Sequence, residues 1–293
     1  MRYRYMRFPD GKIKAVTFSY DDGPIFDIRL AEIFTKYGMK GTFNLNSFNL
    51  PASSTENKIG VDDVRKYMLE KGHEVAVHGE KHIAPAAALP IDSIKEVLFG
   101  RLGLEEKLDM TIRGMAYPDS GIRNELNGNS AERVKAQLRD LGIVYSRTLG
   151  GDNDQFKIPT DWHAWMPTAH HDNPQIFEFI DKFLAIDFTG AYCASRWPRL
   201  FYVWGHSFEF DRKNNWERIE QICEKLSGKD DTWYATNIEI YDYVKAYEAL
   251  EISADGTRVY NPTLKKIWFE VDGVLFSVDS GEHIRITSRE NEK

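Results

Sequence analysis

Apolar runs and helical patterns alternate along most of this chain, and that alternation limits its fold more than any other feature. Ile13 to Ser19 reads as a buried strand. Ile25 to Tyr37 follows, with Ile28, Leu30, Ile33, Phe34 and Tyr37 at near-helical spacing and Gly38 to stop it. Gly41 to Leu45, His73 to His78, Ile112 to Tyr117, Ile143 to Ser146, Leu200 to Trp204 and Thr232 to Ala235 read as further strands. Between them Val61 to Lys71, Pro90 to Leu108, a Ser130-capped stretch to Asp140, Pro174 to Ala185, Trp216 to Leu226 and Asn237 to Leu250 read as helices. Repeated strand-then-helix units imply a largely parallel α/β sheet. About seven of them favour a deformed (β/α) barrel over an open sheet. Catalytic groups of such a barrel gather at the carboxyl ends of its strands. Asp21, Asp22, His78, Tyr117 to Asp119, Arg147 and His206 all fall just after predicted strands.

The rhythm breaks near the C-terminus. Ile267, Phe269 and Val271 alternate with Trp268 and Glu270, Asp272-Gly273 is a two-residue hairpin signal, and Val274, Phe276 and Val278 continue the return strand. The sequence thus divides into a barrel over residues 1–251 and a small antiparallel β appendage over 252–293 that packs on it. Packing support suits the appendage better than a carbohydrate-binding module, for which it is small.

Length and composition narrow the classes of function. A chain of 293 residues, 42% hydrophobic and 28% charged, is long enough for one large α/β domain. Its net charge of −7 argues against nucleic-acid and phospholipid partners, and a neutral substrate fits the balance. The two cysteines, Cys193 and Cys223, read as free thiols in preference to a disulfide. The N-terminus is basic but lacks the apolar stretch of a signal peptide, and no segment approaches the ~20 apolar residues of a membrane span. As it stands the sequence reads as cytoplasmic, or as extracellular or periplasmic if a leader has been removed. Oligomeric state is not legible.

The chemistry concentrates in two places. Asp21 and Asp22 are adjacent in Thr17-Phe18-Ser19-Tyr20-Asp21-Asp22-Gly23-Pro24, and His78 and His82 form a His-x-x-x-His pair. One carboxylate and two imidazoles on a divalent ion leave positions open for water and substrate, and a spare aspartate beside them completes the set of a metal-assisted hydrolase. Each piece has a plainer reading. Asp-Asp-Gly-Pro is also a turn before a helix, and the two histidines alone could be unrelated surface residues.

Thr17 to Pro24 resembles the first motif of the polysaccharide deacetylases (carbohydrate esterase family 4, the NodB-homology domain). His78-Gly-Glu-Lys-His82 is similar to the second motif, Met115-Ala-Tyr-Pro-Asp-Ser-Gly121 loosely to the third, and Trp204-Gly-His206 to the last. The resemblance implies removal of N-acetyl, or less readily O-acetyl, groups from a carbohydrate. It also implies one divalent metal, zinc by preference, with cobalt, nickel or manganese as alternatives. Asp22, His78 and His82 would bind the metal, Asp21 would be the general base and His206 the general acid. The backbone amide of Asp119, after Pro118 and Tyr117, would help hold the oxyanion. Without the motif, His206 would read as a buried histidine between Trp204 and Phe208.

The sequence also departs from the family pattern. The arginine that commonly stands two residues before the third-motif proline, holding the base aspartate, is Ala116 here. Arg147 is the preferred replacement and Arg113 the competing one. The Asp-x-x-Asp-Trp motif is partial, in Pro159-Thr160-Asp161-Trp162. Gly150 to Thr168 reads as a long functional loop whose Trp162, with His170 beyond it, would contact sugar. Glu209 reads as either orienting a neighbour or a surface carboxylate. A second metal at His170 and His171 is disfavoured, because adjacent residues in extended chain point to opposite sides. These departures keep a small linear or cyclic amide open as the substrate; a non-catalytic carbohydrate-binding barrel is the third reading, and retention of Asp21 with the full ligand set argues against it.

Overall fold

Strand β2 (Lys14–Asp21) is buried along all eight residues, as a central strand of a parallel sheet covered on both faces must be. The computed structural model describes residues 3–119, 121–122, 129–190 and 196–286 of the chain. Around β2 lie β3 (Gly41–Leu45), β4 (Glu74–Val77), β5 (Gly114–Ala116), β6 (Tyr145–Arg147), β7 (Ala169–His170), β8 (Arg199–Gly205) and β9 (Thr232–Tyr234). Their order is β6-β5-β4-β3-β2-β8-β7, with β9 beside the first residues of β2, and every pairing is parallel. Trp165 makes a parallel bridge to Arg147 at the β6 edge. The Thr168 N–H then donates to the Tyr202 carbonyl of β8 at 2.8 Å. The segment between β6 and β7 thus curls the sheet back towards β8, the deformed (β/α) barrel that the strand–helix rhythm predicts.

Helices α1 (Asp27–Lys36), α2 (Val61–Asp63, continued by a π turn, Val64–Met68, and a 3-10 turn, Leu69–Lys71), α3 (Pro90–Leu108), α4 (Ala131–Asp140), α5 (Ile176–Leu184), α6 (Phe208–Lys213), α7 (Glu217–Leu226) and α8 (Asn237–Glu248) accompany the strands. Their ends follow local chemistry. Ser130 caps α4 through the Arg133 amide, Pro90 opens α3, and Thr236 with Glu239 forms a capping box on α8. Phe18, Phe34, Phe43, Leu104, Phe183 and Phe201 fill the core between sheet and helices. Each such side chain contributes roughly 1.5–3 kcal/mol of burial free energy.

A second core joins the appendage to the amino-terminal end of the barrel, through Phe8, Ala15, Tyr243, Val259, Ile267 and Phe269. The appendage comprises β10 (Glu251–Ile252), β11 (Arg258–Tyr260), β12 (Ile267–Val271), β13 (Val274–Val278) and β14 (His283–Arg285), in two antiparallel sheets. Asp272 and Gly273 both take positive φ, 47° and 85°, as a tight hairpin between β12 and β13 requires. One strand of these sheets comes from the other end of the chain: β1 (Arg4–Arg7) pairs with β12. A buried ion cluster fastens it, with Glu270 accepting from Arg7 at 2.6 Å and from Arg196 at 2.5 Å. Neither β1 nor the short elements α6 and β7 was expected from sequence. Among the described residues no helix is long and apolar enough to cross a membrane. Cys223 is buried on α7, and Cys193 lies outside the described residues.

Candidate active site

The chemistry-bearing residues meet at the carboxyl ends of the parallel strands. Asp21 closes β2, Arg147 closes β6 and His170 closes β7, while His78, Tyr117 and His206 directly follow β4, β5 and β8. The chain must turn sharply there. Asp22 (φ 78°), His82 (φ 69°) and Asp119 (φ 48°) all adopt the left-handed conformation, which costs a residue with a side chain roughly 1–2 kcal/mol. The Asp22 N–H donates to the Asn44 carbonyl at 3.1 Å, and Lys58 Nζ donates to the Asp22 carbonyl at 2.7 Å, so the turn is held from both sides.

Asp22 Oδ1 lies 3.5 Å from His78 Nε2 and 3.3 Å from His82 Nε2. One donor atom from each of the three residues falls within 4.8 Å of the others. His78 is buried, and its Nδ1 lies 2.9 Å from the Ala116 carbonyl. A carbonyl only accepts, so the ring proton sits on Nδ1 and the Nε2 lone pair faces Asp22, the arrangement of a metal-binding histidine. Burial lowers the His78 pKa and keeps the ring neutral, against the pull of Asp21 and Asp22. These residues fit a divalent cation. Ala116, at the position where the third motif commonly carries an arginine, contributes its backbone carbonyl to the histidine.

Glu96, part of no motif, shapes the loop between the two histidines. Buried on α3, it accepts from the amides of Lys81 at 2.7 Å and Ile83 at 2.9 Å, on either side of His82. Its backbone carbonyl accepts from the Glu80 amide at 2.9 Å. Close approach of the helix depends on Gly100, where a Cβ would fall 2.7 Å from the Gly79 backbone. A glutamate in mid-helix carries no sequence signal for this role.

Asp21 is absent from the donor trio. Arg147 donates to its Oδ2, and Asn44 Nδ2 donates to its Oδ1 at 2.8 Å. The guanidinium itself lies over the Trp204 ring, 4.5 Å from the centroid. Burial alone would raise the Asp21 pKa, but Arg147, His78, His206 and Asn44 outweigh it and hold the carboxyl below its ordinary value. Arg113, the competing candidate, pairs with Asp242 at 2.7 Å and precedes β5, away from the strand ends that carry Asp21.

His206 completes the group, its Nε2 4.0 Å from Asp21 Oδ2 and 3.9 Å from Asp22 Oδ2. Its Nδ1 faces Glu209 Oε1 at 3.6 Å. Burial lowers its pKa, yet Glu209, Asp21 and Asp22 together raise it above the ordinary histidine value. Glu209 is thus no surface carboxylate.

Of the other residues expected at the site, Trp162 lies elsewhere and the rest border it. Trp162 packs in the second core against Trp165 and Tyr241, each at 5.0 Å, because the Gly150 to Thr168 segment folds against the barrel. Asp161 accepts from Lys135 at 2.5 Å and from the His163 amide at 3.0 Å, away from His206. The Tyr117 side chain is buried and its hydroxyl donates to the His163 carbonyl at 2.9 Å, so only its backbone borders the site. Pro118 is buried and Asp119 exposed, with Asp119 Oδ1 3.7 Å from His82 Nδ1. Ser120 of the third motif lies outside the described residues. His170 flanks the site, 4.8 Å from Trp204 and 6.4 Å from His206 between ring centroids.

Comparison with known proteins agrees with the motifs. Residues 8–144 match the family model described as polysaccharide deacetylase. None of the curated proteins matches the chain. Among solved structures, the PuuE allantoinase superposes with a TM-score of 0.57 at 13% identity, over 80% of this chain and 91% of its own. A Mycobacterium smegmatis protein provisionally described as a polysaccharide deacetylase gives 0.53 at 19%, over 83% and 94%. A point mutant of the Bacillus subtilis peptidoglycan deacetylase PdaC gives 0.51 at 14%, over 83% and 96%. At these identities the structural likeness speaks for the fold alone. The resemblance drawn from the motifs is borne out by the family match, which covers the first three of them.

Proposed function

We propose that this chain is a divalent-metal-dependent hydrolase that removes an acetyl group, N-linked in preference to O-linked, from a carbohydrate. The observation that carries this reading is the division of labour between two neighbouring aspartates. Asp22 faces His78 and His82, and Asp21 is held apart from them by Arg147 and Asn44. Bound by Asp22, His78 and His82, a divalent cation would supply Lewis acidity to an acyl oxygen and acidify a water molecule beside it.

The chain's own groups do the rest. Asp21, kept ionised by Arg147, accepts the proton of the attacking water. His206, its pKa raised by the carboxylates around it against the effect of burial, gives a proton from Nε2 to the leaving nitrogen, without which an amide leaves poorly. Glu209 behind Nδ1 sets the ring's orientation. The Asp119 amide donates to the developing oxyanion. Around this group, Phe48 is exposed beside the His78–His82 loop and Phe208 lies 5.0 Å from the His206 ring, giving apolar faces on which a sugar ring can stack.

A second reading, hydrolysis of a small linear or cyclic amide, draws on the burial of Trp162, which removes from the mouth one aromatic expected there. Metal-loaded protein assayed for acetate and amine release on acetylated oligosaccharides and on small amides separates the two. Acetate from the oligosaccharides supports the first reading. Turnover confined to small amides replaces it with the second. Glycan binding without turnover of either class supports a non-catalytic barrel.

A further inference from the structure

His170 and His171, expected to point apart, do not. The chain leaves β7 at His170 and turns, and the two rings come to 4.3 Å between centroids. His171 is fully buried. Its N–H donates to the Trp204 carbonyl at 2.9 Å, and its ring stacks on Tyr20 at 5.7 Å and packs 4.1 Å from Phe210. Gly205 permits this placement, since a Cβ there would fall 2.0 Å from His171 Nδ1. Backbone therefore blocks Nδ1, and Nε2 is the nitrogen free to take a ligand. Nε2 lies 3.1 Å from Glu209 Oε2 and 3.4 Å from Asp172 Oδ2.

These atoms converge without bonding to one another. Among the described residues neither His171 ring nitrogen has a hydrogen-bond partner of proper geometry, and neither does Glu209 Oε2. Buried polar atoms left this way are rare and call for a reason. Donors at about 2.0–2.2 Å from a tetrahedral zinc-like ion stand about 3.3 Å from each other. The separations here, 3.1 and 3.4 Å, lie close to that figure, as do the 3.3 and 3.5 Å of the Asp22 trio. His170 is not counted among the donors. Its Nδ1 accepts from the Asp172 amide at 3.1 Å, which keeps the ring proton on Nε2, 3.1 Å from Glu209 Oε2. Two carboxylates supply the charge a divalent cation needs. Lys213, which donates to Asp172 Oδ2, has a side chain 51% exposed and can swing out to solvent, and Arg218 stands 3.7 Å from Asp172 Oδ1.

We infer that His171 Nε2, Asp172 Oδ2 and Glu209 Oε2 form a second divalent-cation site, distinct from the Asp22, His78 and His82 trio and on the far side of His206. The imidazole and carboxylate donors suit zinc, cobalt or nickel better than calcium or magnesium, which take oxygen ligands. Glu209 connects the two places, with Oε2 in the second site and Oε1 facing His206. A cation there would fix the carboxylate that orients the ring, a consequence that rests on the role proposed for His206; the site itself does not.

Metal-free protein titrated with Co2+, followed by visible absorption and by elemental analysis after desalting, tests the site without reference to turnover. Two equivalents are expected for the native chain, and one each for Asp22→Asn, His171→Ala and Glu209→Gln. The native chain binding one equivalent that Asp22→Asn abolishes would overturn the second site and leave the first standing. One equivalent that survives Asp22→Asn but is lost in Glu209→Gln would uphold the second site and remove the first. Should His171→Ala not fold, Asp172→Asn at the partly exposed rim replaces it, and a second equivalent retained in both Asp172→Asn and Glu209→Gln overturns the inference.

Discussion

The guanidinium of Arg147 donates to Asp21 Oδ2 across a contact in which the side chains are 1% and 3% exposed. Two strands that are distant in sequence thus place a cation on the aspartate that the Asp22, His78 and His82 trio leaves free. Removing one partner of a buried pair strands the other charge and costs roughly 3–5 kcal/mol. Arg147→Ala should therefore lose both stability and turnover, the latter by about 10²-fold or more. Arg113→Ala breaks only a half-exposed pair with Asp242 and should stay within about 1 kcal/mol of the native chain. Urea melts and acetate-release rates of the two variants check this, and the reverse ranking would reject Arg147 as the substitute for the missing third-motif arginine.

Asp21 and Asp22 differ by one position and should differ in kind. Asp21→Asn keeps the hydrogen bond from Asn44 or its mirror but can no longer accept a proton, so metal content should be unchanged while turnover falls by about 10²- to 10⁴-fold. Asp22→Asn and His82→Ala should lose turnover together with one equivalent of metal, the one expected at the Asp22, His78 and His82 trio. Elemental analysis beside kinetics on the same preparations distinguishes these outcomes. A fully active Asp21→Asn would mean that some other group takes the proton.

Much of this was legible in the sequence because it is written in local patterns. β3, α3 and α4 begin and end within a residue or so of where apolar periodicity, Pro90 and Ser130 put them. The residues at the ends of β2, β4, β6 and β8 meet because a parallel barrel brings strand ends together. What stayed hidden depends on contacts between distant segments. β1 is too short to signal a strand, and it pairs with β12 at the opposite end of the chain. Trp162 reads as a sugar-facing aromatic until the fold turns it into the second core. His171 reads as pointing away from His170 until a turn at the end of β7 folds the two together.

Glu96 offers a test of how much the His78–His82 loop depends on its support. Glu96→Ala removes the acceptor for the Lys81 and Ile83 amides and frees a loop that already holds His82 in a left-handed conformation. Metal affinity should fall by about 10- to 100-fold, the usual cost of losing an outer partner of a ligand. Glu96→Gln retains an amide oxygen and should fall less. Competition with a chromophoric chelator measures both. Equal affinities in the native chain and Glu96→Ala would show that the loop keeps its shape unaided.

Glu74 lies at the amino end of β4, at the opposite end of the strand from His78, and gives a pH dependence of its own. Burial raises its carboxyl to about 7, against hydrogen bonds from Tyr145, the Ile238 amide and Thr42. An unfolded glutamate ionises near 4.5, so between these two values the native state holds more protons than the unfolded one. Stability contributed by the protonated group is complete below about 4.5 and is lost as pH rises through about 7. Glu74→Gln keeps an acceptor and a donor in place and titrates nowhere in this range. Relative to the native chain it should gain about 2–3 kcal/mol between pH 5 and pH 8. Urea unfolding of both proteins at the two pH values reads this difference directly, because every other titrating group cancels. A difference that does not change with pH would mean that Glu74 is ionised in the folded protein throughout, with Tyr145, Thr42 and the Ile238 amide sufficient to hold its charge in the core.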